Sequence, residues 1–189
     1  MSLVPIVPAV AAGNPYDAII YNREETYDFD ESKIEKWKEE EVAVPPVPDE
    51  DDYVEVPIDG FGKDFVVMLD AKTMSVGEKD GVIRYWIALK SKLGAVNMMY
   101  EGVRCTGRLY KTYAYASQRK KGKFRVVKKP KWMSTEAVRG RNYRQELVQH
   151  FLCVAGSARN PKEVVARIKE ANSSLFSFGK ETTGPAAFY

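Results

Sequence analysis

Apolar and polar positions alternate with period two through the middle of this chain and change to a helical period near its C-terminus. Val82–Lys90, VIRYWIALK, is the clearest strand. Ala95–Cys105 reads as a buried strand, with Val96, Met98 and Tyr100 on one face and Asn97, Met99 and Glu101 on the other. Gly102 interrupts it, the mark of a bulge or of a close backbone approach. A turn at Thr106-Gly107 leads into Leu109–Tyr115, where Leu109, Lys111, Tyr113 and Tyr115 alternate with Tyr110, Thr112 and Ala114. Tyr53–Ile58 and Phe65–Leu69 read as earlier strands, and Lys123–Lys128 as a last one beyond the basic loop Gln118–Gly122. Between them, Met74–Gly77 and Lys79-Asp80-Gly81 spell a tight turn, Asp-Gly being a strong hairpin signal. About five to six strands joined by short turns predict a mostly antiparallel sheet.

Toward the C-terminus, Asn142 offers a cap with Gln145 three residues on, and Tyr143, Leu147, Val148, Phe151 and Leu152 recur at helical spacing up to Gly156. Asn160-Pro161-Lys162-Glu163 supplies a second cap, an N1 proline and a first-turn acid, so a second helix runs to about Ala171 with Val164, Val165 and Ile168 inward. Leu175–Tyr189 reads as a loose Gly/Ser/Thr tail or an edge contact. Strands followed by helices give an α+β class: a mostly antiparallel sheet packed with two C-terminal helices.

Ahead of the sheet lies an extended arm. Gly13–Asp30 has no clear period. Ser32-Lys33-Ile34-Glu35 has capping-box spacing and predicts a short helix over Lys33–Glu41, anchored only by Ile34 and Trp37. Val42–Pro48, VAVPPVP, should be polyproline-like, either a spacer or a ligand for an aromatic-lined groove on a partner. The expected organisation is an arm with signal remnant, helix and Pro-rich spacer over 1–52, a single α+β domain over 53–172 and a flexible tail over 173–189.

Length and composition fit one domain with a proper core: 189 residues, 44% hydrophobic and 12% aromatic. The net charge of +3 conceals a strong asymmetry, with thirteen acidic and four basic residues between Asn22 and Asp52, but eleven basic and no acidic residues between Arg104 and Lys131. Either the two segments face each other or each keeps its surface solvated. A compensating acidic arm argues against a nucleic-acid-binding domain.

The two cysteines, Cys105 and Cys153, would close a loop of about fifty residues and clamp helix to sheet, a contribution of about 3–4 kcal/mol in an oxidising compartment. In a reducing one they would be buried thiols. Leu3–Ala12, apolar and ending in small residues, reads either as the remnant of a signal peptide or as a leader that merely looks like one. No stretch is long enough to span a bilayer.

The candidate chemistry sits in the central hairpin. Pairing of its strands would gather Glu101, Arg104 and Lys111 with phenols, and Asn97, Tyr100, Glu101, Arg104, Lys111 and Tyr113 are the candidate binding residues. The alternative is a salt-bridged, solvated sheet face. One histidine and two cysteines do not make a usual zinc site, no nucleophile elbow or phosphate loop is present, and no metal or cofactor is expected. A Cys105–His150 thiol pair or Glu101 as acid/base are the only catalytic candidates.

Trp37-Lys38-Glu39, Pro45-Pro46, Ser75-Val76-Gly77, Asp80–Tyr85, Gly94–Asn97, Tyr100-Glu101-Gly102-Val103-Arg104-Cys105, Lys111-Thr112-Tyr113 and Leu152-Cys153 follow one another in an order that resembles the cryptic neisserial protein one-like family of exported proteobacterial proteins. The resemblance covers roughly Ile34–Ile168. It implies a small exported domain with a two-cysteine pattern, and it assigns no activity. The functional expectation is a non-catalytic periplasmic accessory protein whose partner is another envelope protein, contacted through residues 13–52 of the arm. The alternatives are an anionic-ligand binder using Arg104, Lys111 and the Arg119–Lys131 run, and a weakly supported enzyme.

Overall fold

The computed structural model describes residues 36–41, 43–58, 65–117, 122–136 and 142–181, the stretch 175–181 as backbone only. The expected signal remnant, most of the acidic arm, the capping-box residues Ser32–Glu35, four residues of the basic loop and the last eight of the tail lie outside the described residues. One eight-stranded sheet contains β1 (Tyr53–Val56), β2 (Phe65–Asp70), β3 (Ser75–Val76), β4 (Ile83–Ser91), β5 (Val96–Arg104), β6 (Leu109–Ser117), β7 (Phe124–Val126) and β8 (Met133–Ser134). Its main path is β1-β2-β4-β5-β6-β7, with β3 on β4 and β8 on β6, and every pairing is antiparallel. The α+β class and mostly antiparallel sheet read from the sequence are thus the observed architecture.

The main core lies on one face of this sheet. Val56, Val67, Leu69, Ile83, Tyr85, Ile87, Met99 and Val103 meet Tyr143, Leu147, Val148, Phe151, Leu152, Val164 and Ile168 there, all at most 8% exposed. Each fully buried aliphatic side chain contributes about 1.5–3 kcal/mol, so the helices are held by packing. Helix α1 (Tyr143–Glu146) starts where Asn142 Oδ1 accepts from the Gln145 amide at 3.0 Å, and continues as a π-turn over Leu147–Leu152. Helix α2 (Pro161–Glu181) is capped by Asn160, whose Oδ1 accepts from the Lys162 amide.

Three local expectations change. The first helix stops at Leu152 and does not reach Gly156; Cys153 instead opens a hairpin of β9 (Cys153–Val154) and β10 (Ser157–Ala158). Its turn, Ala155-Gly156, has both φ angles positive, at 46° and 79°, which is what a two-residue turn matching strand twist requires. Helix α2 runs to Glu181, ten residues beyond Ala171. Most clearly, Lys36–Glu41 carry no helix. Two apolar residues are too small a face to hold an isolated turn, and here the backbone and side chains of Trp37, Glu39 and Glu40 bond the sheet instead.

Residues 37–41 and 43–48 therefore form a strap across the second face of the sheet, within the same compact unit as the strands. The Pro-rich run serves as a ligand for the chain's own aromatic surface. Val44 and Val47 pack on Trp86, Tyr100 and Ala114, and Trp86 Nε1 donates to the Pro45 carbonyl at 3.3 Å. Val44, Pro45 and Val47, part of the arm expected to reach a partner, thus contact the chain's own sheet. Among the described residues no helix is long and apolar enough to cross a membrane.

Candidate functional site

The pairing of β5 with β6 decides which candidates can meet. Glu101 stands opposite Thr112 on the helix-packed face, while Tyr100, Arg104, Lys111 and Tyr113 belong to the strap face. The register shifts between Tyr100 and Glu101, leaving Tyr113 unopposed and turning both it and Ala114 to the strap side. Strict alternation along β6 thus fails at Tyr113. Glu101 and Lys111, expected as neighbours, are separated by the sheet. Asn97 is exposed, paired in register with Leu89 and Ser117, and takes no part in the cluster.

On the strap face, Glu39 is the hub. Its Oε2 accepts from Lys111 Nζ at 2.6 Å and Trp132 Nε1 at 3.2 Å, and its Oε1 accepts from the Tyr113 hydroxyl at 2.7 Å. Lys111 also lies 5.4 Å from the Trp132 ring centre, and Arg104 stacks 4.2 Å over Trp37. Among the described residues the Glu39–Lys111 pair joins the acidic and basic segments directly.

A second anchor is the Asp80–Arg84 pair, at 2.5 Å and almost wholly buried. Asp80 Oδ2 also accepts from the Glu40 amide at 2.9 Å, the Asp80 carbonyl accepts from Trp37 Nε1 at 3.0 Å, and Arg84 donates to the Glu40 carbonyl. Gly77 is required here, since a Cβ on it would sit 2.1 Å from Asp80 Oδ1. Apart from the place of Asp80 and Glu39 in the family resemblance, sequence reasoning read Asp80 as a turn residue and did not mark Glu39 or Trp132 as site residues; nothing local marks a carboxylate whose partner is some seventy residues away.

These carboxylates make the strap acid-sensitive. Burial opposes ionisation of Glu39, but hydrogen bonds from Lys111, Tyr113 and Trp132 outweigh it, and its pKa is lowered; burial likewise opposes ionisation of Asp80, which Arg84 and the Val82 and Glu40 amides overcome. A carboxyl depressed on folding stabilises fully above its unfolded value and loses that contribution as pH falls through the folded one. All three tryptophans touch the strap or anchor it. Their fluorescence should therefore report strap release below about pH 4 in the wild type. Glu39→Gln should show the released signal already at neutral pH. An acid titration in which the two proteins behave alike refutes this assignment.

Gly102 provides the space for Tyr113. A Cβ there would lie 2.7 Å from the Tyr113 hydroxyl and 3.0 Å from Val82 Cγ1. Gly102→Ala should cost about 1–3 kcal/mol, read by denaturant titration, and should detach Tyr113 from Glu39; an unchanged midpoint counts against this packing.

On the helix-packed face, Glu101 has no exposed surface and is held by Arg144. Arg144 Nη2 donates to Oε1 at 2.6 Å and Nε to Oε2 at 3.2 Å, with further bonds to Oε1 from Thr112 and Tyr143. Burial pushes the Tyr143 phenol far up, and the Glu101 charge adds to it. Cys105 is bonded to Cys153, with Cα atoms 5.7 Å apart, so the proposed Cys105–His150 thiol pair has no thiol. His150 is exposed on the π-turn. Among the described residues no group of three or more His, Cys, Asp or Glu is placed to hold a metal ion.

Among the described residues, two openings border the strap. A groove of about 520 Å³ lies beyond its end, between Pro48–Asp51 and a floor of Met68, Ala88 and Met98. A smaller hollow of about 270 Å³ lies where Arg104 and Trp37 meet Thr106 and Ser157.

Sheet, strap and disulfide together define a small α+β domain, covered by helices on one face and by its own N-terminal strap on the other. The chain belongs to the CNP1-like family, which matches residues 32–169. It is 28% identical over 156 residues to Cryptic neisserial protein 1 of Neisseria gonorrhoeae (strain ATCC 700825 / FA 1090), covering 75% of each chain. No solved structure matches it.

Proposed function

We propose that the chain is an exported, non-catalytic accessory protein of the cell envelope that acts by holding a protein partner. The observation that carries the exported part is the Cys105–Cys153 bond, which uses both cysteines and belongs to an oxidising compartment. Support for binding over catalysis comes from how the hairpin's charges are used. Glu101 and Lys111 each have a close internal partner, so these two candidates from the sequence act as structural ties.

The test is to isolate the protein from fractionated cells and alkylate it before and after reduction. Protection of both cysteines until reductant is added, in the periplasmic fraction, supports the reading. Free thiols in a cytosolic fraction overturn it.

A second reading, capture of an anionic ligand, is favoured by one observation. Arg104 faces the smaller hollow, stacked on Trp37, and no carboxylate pairs with it among the described residues. Lys111, expected to share that role, is taken by Glu39. Affinity for a small dicarboxylate that is lost in Arg104→Gln would favour this reading; equal weak binding by both proteins would remove it.

A further inference from the structure

The groove beyond the strap continues a surface already used for peptide recognition inside this molecule. Cross-strand registers place Met68 opposite Ala88, Ala88 opposite Met98, Met98 opposite Ala116 and Ala116 opposite Phe124. The result is an apolar row across the strap face. The neighbouring row, Trp86, Tyr100 and Ala114, is covered by Val44 and Val47. The strap ends at Pro48 and leaves the methionine row open as the floor of the groove.

Three features describe what fits. The floor is apolar and adaptable, two methionines flanking the small Ala88. The lining residues Met68, Ala88, Met98 and Ser117 lie on four neighbouring strands, which at about 4.8 Å spacing span about 14 Å, the length of about five residues in an extended proline-type conformation. Among the described residues the rim carries the exposed carboxylates Asp49 and Asp51 and one exposed cation, Lys90. In addition, the Tyr53 hydroxyl, on the groove lining, is buried with no hydrogen-bond partner among the described residues.

We propose that this groove docks an extended, apolar and basic segment of a partner protein, lying beside the strap as a second strap. The proposal rests on the accessory reading above and names its contact. The apolar residues would lie on the half-buried Met68 and Met98 side chains, the basic ones would meet Asp49 and Asp51, and a backbone carbonyl would accept from Tyr53.

The experiment uses the full chain with 13C-labelled methionine methyls and two synthetic peptides, VPKVPKV and VPEVPEV. The lysine peptide should move the Met68 and Met98 methyls and leave Met74, buried in the core on the other face, in place. Asp49→Asn with Asp51→Asn should weaken binding about fivefold at low salt. Met98→Lys and Ser117→Arg should each abolish it, with tryptophan fluorescence verifying that the strap remains seated. Methyls that do not move, or that respond equally to the glutamate peptide, overturn the proposal. Movement of Met68 and Met98 on concentrating the protein alone identifies a second copy as the occupant and also overturns it. A still groove in a protein whose cysteines are bonded in the periplasm would leave the accessory reading standing and remove only this contact.

Discussion

Replacing Arg144 with methionine is expected to cost about 3–5 kcal/mol, a large share of the stability of a domain of this size. Glu101 has no exposed surface, and Arg144 supplies its ion pair and three of its hydrogen bonds. Without the guanidinium, the carboxylate keeps only the Thr112 and Tyr143 hydroxyls among the described contacts. Removing one partner of a buried pair leaves an uncompensated charge, whereas removing both can be close to neutral. The double change Glu101→Met with Arg144→Met should therefore recover most of the loss, and denaturant titration of all four proteins gives the coupling directly. Additive losses would show that the pair is not coupled. A domain of this size has about 5–15 kcal/mol in hand, so the single variant should be marginal.

Loss of the disulfide should be the next largest effect. Cys105 follows β5 and Cys153 opens β9, 48 residues apart, with β6, β7, β8 and α1 in the loop between them. Constraining a loop of that length lowers the entropy of the unfolded chain, and Cys105→Ser with Cys153→Ser should cost about 3–4 kcal/mol, or roughly 10 °C in melting temperature. Reduced wild-type protein should melt with the double variant. If oxidised and reduced protein melt together, the bond contributes nothing. Because Cys105 and Ser157 both line the hollow beside Arg104, the variant should also loosen that site.

These effects arise at places the sequence marks unequally. The helix starts were legible because their signals are local: Asn142 and Asn160-Pro161 lie within one turn of the groups they cap. The end of the first helix was not, because Ala155-Gly156 is a tight hairpin turn in which a non-glycine residue takes a positive φ, and a helical period gives no notice of that. The candidate site was half legible. Tyr100, Arg104, Lys111 and Tyr113 do share a face, but the register shift beside Glu101 sends that carboxylate to the opposite side, toward Arg144 some forty residues away.

By itself, then, the sequence determined the central strands, the starts of the two C-terminal helices, the α+β class and the two cysteines, because each rests on period, capping or composition within a short window. Only the tertiary structure decided the faces of the central hairpin, the partners of its charges and the strap. A proline-rich segment has neither a period nor internal hydrogen bonds, and its conformation is set by the aromatic and charged surface on which it lies.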